Sequence, residues 1–347
     1  MKKKSVVIGD IAKQLNVSKT TISFIINGKA KEKRISDELE DKVMRVVDEL
    51  GYVPSPLAKS LRTGKTNIIG LIVEDISNPF FALIARKIEE RANNNGYKLF
   101  YCSSENDTKK TSELIKLFRQ RQLDGYIITP AAGTEKDINI LLNENLPVVL
   151  FDRYLPDIEA NYVIVDNFGS TYNAINHFVE QGCKSIAFIS LDSEQTQMKE
   201  RLIGYKKAIS DNNLKHIIKK IAFRGNTTNY TEEIRSFLKT ETHVDAVFFA
   251  TNYLAISGLE AIVSLQKKIP DDIGVIAFDD HDLFRLFAPS ITAIAQPIEQ
   301  ISAHLLDIIL NSINDSANIQ IAKKMVLPAN LIIRRSSLKK ERIIKPE

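Results

Sequence analysis

The chain has 347 residues, 44% hydrophobic and 26% charged. That length suggests two or three domains, and the composition is that of an ordinary globular protein. No run of 18 apolar residues is present, which argues against a membrane span. The basic start Met1-Lys2-Lys3-Lys4 lacks the apolar stretch of a signal peptide, because Gly9, Asp10, Lys13 and Gln14 interrupt it. A cytoplasmic location is therefore expected. The net charge of +4 is unevenly placed: residues 1–66 hold 14 Lys/Arg against 8 Asp/Glu, +6, and the remainder holds 33 against 35, −2. A basic head on a slightly acidic body suits a polyanion-binding module joined to something else. The alternative is a solvated basic surface.

The two cysteines, Cys102 and Cys183, carry no pattern of reactivity, and a cytosolic location argues against a disulfide. Cys102 lies in an apolar run and reads as a small core residue. Five scattered histidines, without CxxC or HxxxH, give a metal site no support, and no cofactor is called for.

In the head, Ile11, Ala12 and Leu15 have helical spacing, and Asn16 tolerates the left-handed backbone of a tight turn. Val17 plugs inward. Ser18 suits the N-cap of a second helix over Lys19–Ile26, with Ile22, Ile25 and Ile26 on its buried side. The candidate DNA-contacting residues are Ser18, Lys19, Thr20, Thr21, Ser23, Phe24 and Asn27, because short polar groups at such a helix start reach base edges in a major groove. A third helix runs over residues 36–50. Ser36 caps it, and Asp37, Glu38 and Glu40 in its first turn favour the helix dipole. Any small three-helix domain would show the same periodicity.

Beyond it, Tyr52-Val53-Pro54-Ser55-Pro56 forms a stiff link, and Leu57 to Arg62 is capable of a short helix before Gly64. Together, Asp10-Ile11-Ala12, Val17-Ser18-Lys19-Thr20-Thr21-Ile22-Ser23, Ile26-Asn27, Gly51-Tyr52-Val53-Pro54 and Ala58-Lys59-Ser60-Leu61-Arg62 resemble the lactose-repressor (LacI) family of bacterial regulators. The resemblance runs to about residue 335. It implies a hinge helix over residues 56–62 that folds on operator DNA and enters the minor groove. Leu61 would wedge a central base step there, with Ala58 and Lys59 beside it. The other reading is that Leu57 and Leu61 pack on the body. Gly64-Lys65-Thr66 mimics the end of a phosphate-binding loop, but the required earlier glycine is Lys59, so the motif fails. Phe24 stands where the family often has Arg or His; it can touch a thymine methyl but cannot read guanine. The loop over residues 28–34 is about three residues longer than in well-known members, and its basic residues suit phosphates.

From residue 67 the chain alternates strand-like runs with helical patterns. The runs are Ile68–Val73, Lys98–Cys102, Gly125–Thr129, Val148–Phe151, Val163–Val165, Ser185–Ile189, Ile218–Phe223, Ala246–Ala250 and Gly274–Phe278. Repeated βα units imply parallel sheets covered by helices. Nine strands suit one large sheet or two lobes. The resemblance implies two: an α/β body of Rossmann-like lobes of periplasmic-binding-protein type, behind an N-terminal three-helix domain and hinge helix. The expected domains are a helix-turn-helix over 1–53, a hinge over 54–66, a sensing and dimerisation region over 67–335, and a tail over 336–347. Crossings between lobes are expected near 161–166, 289–296 and 324–330.

Ligands of such sheets bind beyond the strands' carboxyl ends. Those ends supply the candidate effector-binding residues Asp75, Phe80, Thr129, Asp152, Arg153, Gln197, Arg201, Asn252 and Asp279. The resemblance matches Arg201, Asn252 and Asp279 to the family's Arg, Asn and ligand-binding Asp, a combination that suits sugar hydroxyls. Tyr253 stands where the family usually has Asp. Against a ligand role, Phe80 and Phe81 could be helix core, Asp152, Asp166 and Asp279 could cap helices, and Arg201 could lie on the surface.

The expected function is a transcription regulator, a repressor, whose grip on DNA is controlled by a small-molecule effector, a sugar. Its expected partners are a near-palindromic double-stranded operator and a second copy in a homodimer, with no membrane. A transport-type solute-binding protein is the alternative. An enzyme is disfavoured because no dinucleotide fingerprint, nucleophile elbow or metal constellation appears.

Overall fold

The computed structural model describes residues 6–52, 64–224, 229–314 and 322–338. The chain divides into two compact units, Met1–Thr66 and Asn67–Glu347.

The first unit holds α1 (Ile8–Leu15), α2 (Lys19–Ile26) and α3 (Asp37–Glu49). The Asp10 carboxylate accepts from Val7 N at 3.0 Å at the start of α1, and Asn16 ends that helix in the left-handed conformation, φ 53°. Ser18 Oγ accepts from Thr21 N at 3.0 Å, and Ser36 Oγ from Leu39 N at 3.4 Å. Each cap satisfies a backbone N–H that a helix start leaves unpaired. Ile11, Ile22, Ile25 and Val43 form the centre of a small core that Ala30, from the loop after α2, also enters. Burying Ala30 anchors that loop and leaves Lys29, Lys31, Lys33 and Arg34 exposed.

The second unit contains two six-stranded sheets. The first has β1 (Ile68–Val73), β2 (Lys98–Ser103), β3 (Gly125–Ile128), β4 (Val148–Phe151), β5 (Asn161–Val165) and β11 (Lys324–Leu327), in the order β11-β5-β4-β3-β1-β2. The second has β6 (Ile186–Leu191), β7 (Ile217–Ile221), β8 (Ala246–Phe249), β9 (Gly274–Phe278), β10 (Thr292–Ala295) and β12 (Asn330–Ile332), in the order β12-β10-β9-β8-β6-β7. Every pairing is parallel except β10 with β12. The central strands are buried end to end, as expected where helices cover both faces.

The first lobe carries α4 (Pro79–Asn94), α5 (Thr108–Gln120), α6 (Glu135–Asn143) and α12 (Ile298–Asn314). The second carries α7 (Asn167–Glu180), α8 (Thr196–Asp211), α9 (Thr231–Thr240), α10 (Asn252–Ser264) and α11 (Asp282–Leu286). The chain leaves the first sheet after β5, returns after β10, and crosses again between β11 and β12. Three strands absent from the sequence expectation, β10, β11 and β12, lie at those crossings. β11 and β12 are short edge strands with half-exposed positions, so no apolar run announced them. Cys102 is half-buried on β2 and Cys183 is buried, and the two form no disulfide. Among the described residues, no helix is long and apolar enough to cross a membrane.

Candidate functional site

Strand order reverses beside β1 in the first sheet and beside β6 in the second, and the carboxyl ends there open a crevice between the lobes. β1 runs into Glu74 and then Asn78, which caps α4 by accepting from Phe80 N at 3.1 Å, with Pro79 at the first helical position. β4 runs into Asp152, and β9 into Asp279. Both aspartates have left-handed backbones, φ 67° and 69°, uncommon for side chains larger than glycine and frequent at ligand sites. Gln197 and Arg201 project from α8, and Tyr253 from the first turn of α10.

Five of these groups, Asp152, Gln197, Arg201, Tyr253 and Asp279, line one cavity of about 30 Å³ together with Glu74 and Phe80. Arg201 is only 2% exposed. Its Nε donates to Asn167 Oδ1 at 2.8 Å, its Nη1 to Ala250 O at 2.7 Å, and its guanidinium sits 3.4 Å from the Phe278 ring centroid. Burial lowers the Arg201 pKa, while Asp279 and Asp152 oppose that shift. Arg153 is held by Glu74 Oε2 at 2.9 Å and Asn106 Oδ1 at 2.8 Å. The Asp152 carboxyl is pushed up to about 6 by burial, against the pull of Arg153 and Arg201. Asp279 is likewise raised by burial, and Gln296 Nε2 donates to its Oδ1 at 2.6 Å.

The lobes also meet directly. Asn252 Nδ2 donates to Asn78 Oδ1 at 3.2 Å, and Gln197 Nε2 to Asp152 Oδ2 at 3.3 Å. Gln195 Nε2 donates to Asn106 Oδ1 at 3.1 Å, and Thr196 Oγ1 to Tyr154 O at 3.3 Å. Phe80 and Asp279 form the wall between the small cavity and a hollow of about 270 Å³ lined also by Leu83, His281 and Gln296.

Of the residues expected from sequence, Phe80, Asp152, Gln197, Arg201 and Asp279 come together at the cavity, and Arg153 lies behind them on Glu74. Phe80 and Phe81 are both buried. Asn252 does not line the cavity; it bridges the lobes. Asp75 is turned to its own loop, where Oδ1 accepts from Ser77 N at 2.8 Å, and its neighbour Glu74 takes the inward place. Thr129 is fully buried and outside the lining. Asp166 caps α7 by accepting from Gly169 N at 2.7 Å. Sequence reasoning missed Glu74, Asn106 and Gln296. Gln296 follows the end of β10, and recognising that strand would have pointed to it.

On the head, Ser18, Lys19, Thr20 and Asn27 are exposed, and Thr21, Ser23 and Phe24 are half-buried. Ser18 and Thr21 hydroxyls face each other at 2.9 Å, and Asn27 Nδ2 donates to Ser23 O at 2.6 Å. Lys33 Nζ lies 5.5 Å from the Phe24 ring centroid, so the loop's lysine rests over that ring. The hinge residues Ala58, Lys59 and Leu61 lie outside the described residues.

Residues 7–55 match the description "Bacterial regulatory proteins, lacI family", and residues 175–337 match "Periplasmic binding protein-like domain". The chain is 31% identical to the HTH-type transcriptional regulator DegA of Bacillus subtilis over 336 residues, 95% of this chain and 97% of that protein. The chain belongs to the LacI family. It is 30% identical to the ribose operon repressor of Halalkalibacterium halodurans, with 92% of this chain and 95% of that one aligned. A periplasmic binding protein/LacI transcriptional regulator from Alkaliphilus metalliredigens, solved with D-xylulofuranose, shares 26% identity at a TM-score of 0.68, covering 79% of this chain and 100% of that one. The Lac repressor dimer bound to operator aligns over 97% of this chain and 100% of its own at a TM-score of 0.83; at 20% identity it shows the fold alone. The LacI-family chain is a DNA-binding transcription regulator with a small-molecule effector, and a transport role is not favoured. Its relatives are regulators, not enzymes.

Proposed function

We propose that this regulator is a cytoplasmic homodimeric repressor that reads a near-palindromic operator and releases or tightens its grip when a sugar fills the cleft between the lobes. The observation that carries the reading is the meeting of Asp152, Arg201 and Asp279, from three separate elements of two lobes, in one buried polar cavity. Paired carboxylates and a guanidinium held in place match the donors and acceptors of vicinal hydroxyls. The relatives named for ribose and the neighbour solved with a sugar support the same class. A ligand that bridges both lobes favours their closed arrangement by its differential affinity, and by linkage the operator changes effector affinity by the same factor as the effector changes operator affinity.

On the DNA side, Lys19, Thr20, Thr21, Ser23, Phe24 and Asn27 are assigned to the major groove, with Ser18 supporting them as cap and phosphate contact. Ala58, Lys59 and Leu61 are assigned to the minor groove. A chain lacking residues 1–66 should keep effector binding and lose the operator, checked by calorimetry and gel shift; operator binding by the truncated body would refute the assignment. Leu61→Ala should weaken operator binding while leaving non-specific binding largely intact.

A further inference from the structure

We propose that Glu32 is a built-in brake on sequence-independent DNA binding: in the free head it holds Lys33, the cation seated over the Phe24 ring, and a backbone phosphate of the operator displaces it. The proposal rests on the assignment of α2 to the major groove and adds a device in the loop that follows that helix.

The first ground is that the loop over residues 28–34 is a built element. Lys29 N donates to Phe24 O at 2.9 Å, Lys33 N to Lys29 O at 3.0 Å, and Ile35 N to Ala30 O at 2.9 Å. Gly28 and Arg34 turn the chain through left-handed backbones, φ 68° and 53°. Ala30 is plugged into the core of the head, only 1% exposed. A loop tied at its ends and pinned in the middle presents its side chains in set directions, so little ordering remains for binding to offset.

The second ground is charge. The loop carries four cations, Lys29, Lys31, Lys33 and Arg34, and a single acid, Glu32. That acid engages two of the cations: its Oε1 lies 2.9 Å from Lys33 Nζ and its Oε2 3.9 Å from Lys29 Nζ. Exposed pairs of this kind are weak, so a phosphate can take the place of the carboxylate. Until it does, Lys33 is withheld from DNA, and the carboxylate repels the backbone.

The third ground is position. Lys33 Nζ stands 5.5 Å from the centroid of the Phe24 ring, on the helix assigned to the groove. A helix about 10–12 Å across with its side chains fills a major groove about 12 Å wide. A cation stacked beside a groove-facing ring therefore meets the phosphates of the groove wall. On the operator Phe24 seats against its base and fixes Lys33 at one phosphate, so the exchange goes through. On other sequences the ring finds no seat and the Glu32–Lys33 pair stays closed. Glu32 thus denies one phosphate contact to non-specific complexes and leaves it to the specific one.

An operator is selected from a randomised duplex pool with the full-length protein, and a scrambled duplex of equal length is the non-specific probe. Fluorescence anisotropy follows both affinities across a potassium chloride series. Glu32→Gln should steepen the log affinity–log salt slope on the scrambled duplex by about 0.9, the mark of one added phosphate contact, and leave the operator slope unchanged. Scrambled-duplex affinity at low salt should rise at least about 3-fold, and the preference for operator should fall. Lys33→Gln should do the converse, flattening the operator slope by about 0.9 and sparing the scrambled one. Phe24→Leu, which removes the seat of the cation, should flatten the operator slope likewise. A scrambled-duplex slope unmoved by Glu32→Gln, or an operator slope unmoved by Lys33→Gln or Phe24→Leu, overturns the proposal and leaves α2 in the groove. Glu32 and Lys33 are exposed, and thermal melts check that their variants keep the fold. A pool that yields no preferred sequence defeats the placement of α2 and the proposal with it.

Discussion

Asn252 of the second lobe donates its side-chain N–H to Asn78 Oδ1 of the first across 3.2 Å, and Asn78 Oδ1 at the same time caps α4 through Phe80 N. One acceptor therefore serves both the local helix and lobe closure. Removing Asn252 leaves Asn78 still satisfied by Phe80 N, so the substitution tests closure without orphaning a buried group. Asn252→Ala should lower effector affinity by roughly 3- to 10-fold, the worth of about 1 kcal/mol of net hydrogen bonding. Small-angle scattering should show the ligand-free lobes further apart. Unchanged affinity together with unchanged scattering would remove Asn252 from closure.

The pH response follows from Asp152. Its pKa rises from the ordinary 3.8 to about 6, through burial first. A carboxyl raised on folding destabilises the folded state when ionised. That penalty is present above about pH 6 and is relieved as pH falls from 6 toward 3.8. Ligand hydroxyls need the ionised acceptor, so effector affinity should fall over the same window while the ligand-free contribution of Asp152 to stability rises. Asp279 and Glu200, also raised by burial, move in the same direction. Asp152→Asn should flatten most of the affinity–pH slope in calorimetric titrations; an undiminished slope would assign it elsewhere.

Gly204 in α8 sits where a Cβ would lie 2.4 Å from the Phe168 carbonyl oxygen of α7. Backbone, not a pliable side chain, is in the way. Gly204→Ala must force the two helices apart, at a cost of about 1–3 kcal/mol. Asn167 on α7 and Arg201 on α8 are joined at 2.8 Å, so effector binding should weaken along with stability. Urea denaturation and titration of the same variant check both effects; a wild-type midpoint would show that the helix contact yields freely.

Ser18 and Thr20 separate capping from reading. The Ser18 hydroxyl is engaged by Thr21 N, whereas Thr20 is exposed. Ser18→Ala should destabilise the head by about 1 kcal/mol through loss of the cap. Thr20→Ala should leave stability within about 0.5 kcal/mol and relax the preferred operator sequence. Thermal melts and selection from a randomised operator library distinguish the two. A Thr20→Ala variant with unaltered preference would take Thr20 out of base recognition.

The chain's own residues determined the head, the α/β alternation and most of the polar cluster. Asn16, Ser18 and Ser36 are local signals, since a cap or a left-handed turn depends on a few neighbouring residues. Asp152, Arg201 and Asp279 were legible because parallel strands present their carboxyl ends to ligands, and strand ends show in the apolar runs. Tertiary structure decided what local pattern does not encode. β11 and β12 exist because distant edges, Asn161–Val165 and Thr292–Ala295, offer backbone partners to short half-exposed segments. Glu74 rather than Asp75 faces the cleft because Arg153, distant in sequence, holds Glu74 at 2.9 Å, whereas Asp75 accepts from Ser77 N in the turn after β1. Asn106 and Gln195 meet across 89 positions of sequence, and Asn78 and Asn252 across 174, through contacts between the lobes that no local pattern encodes.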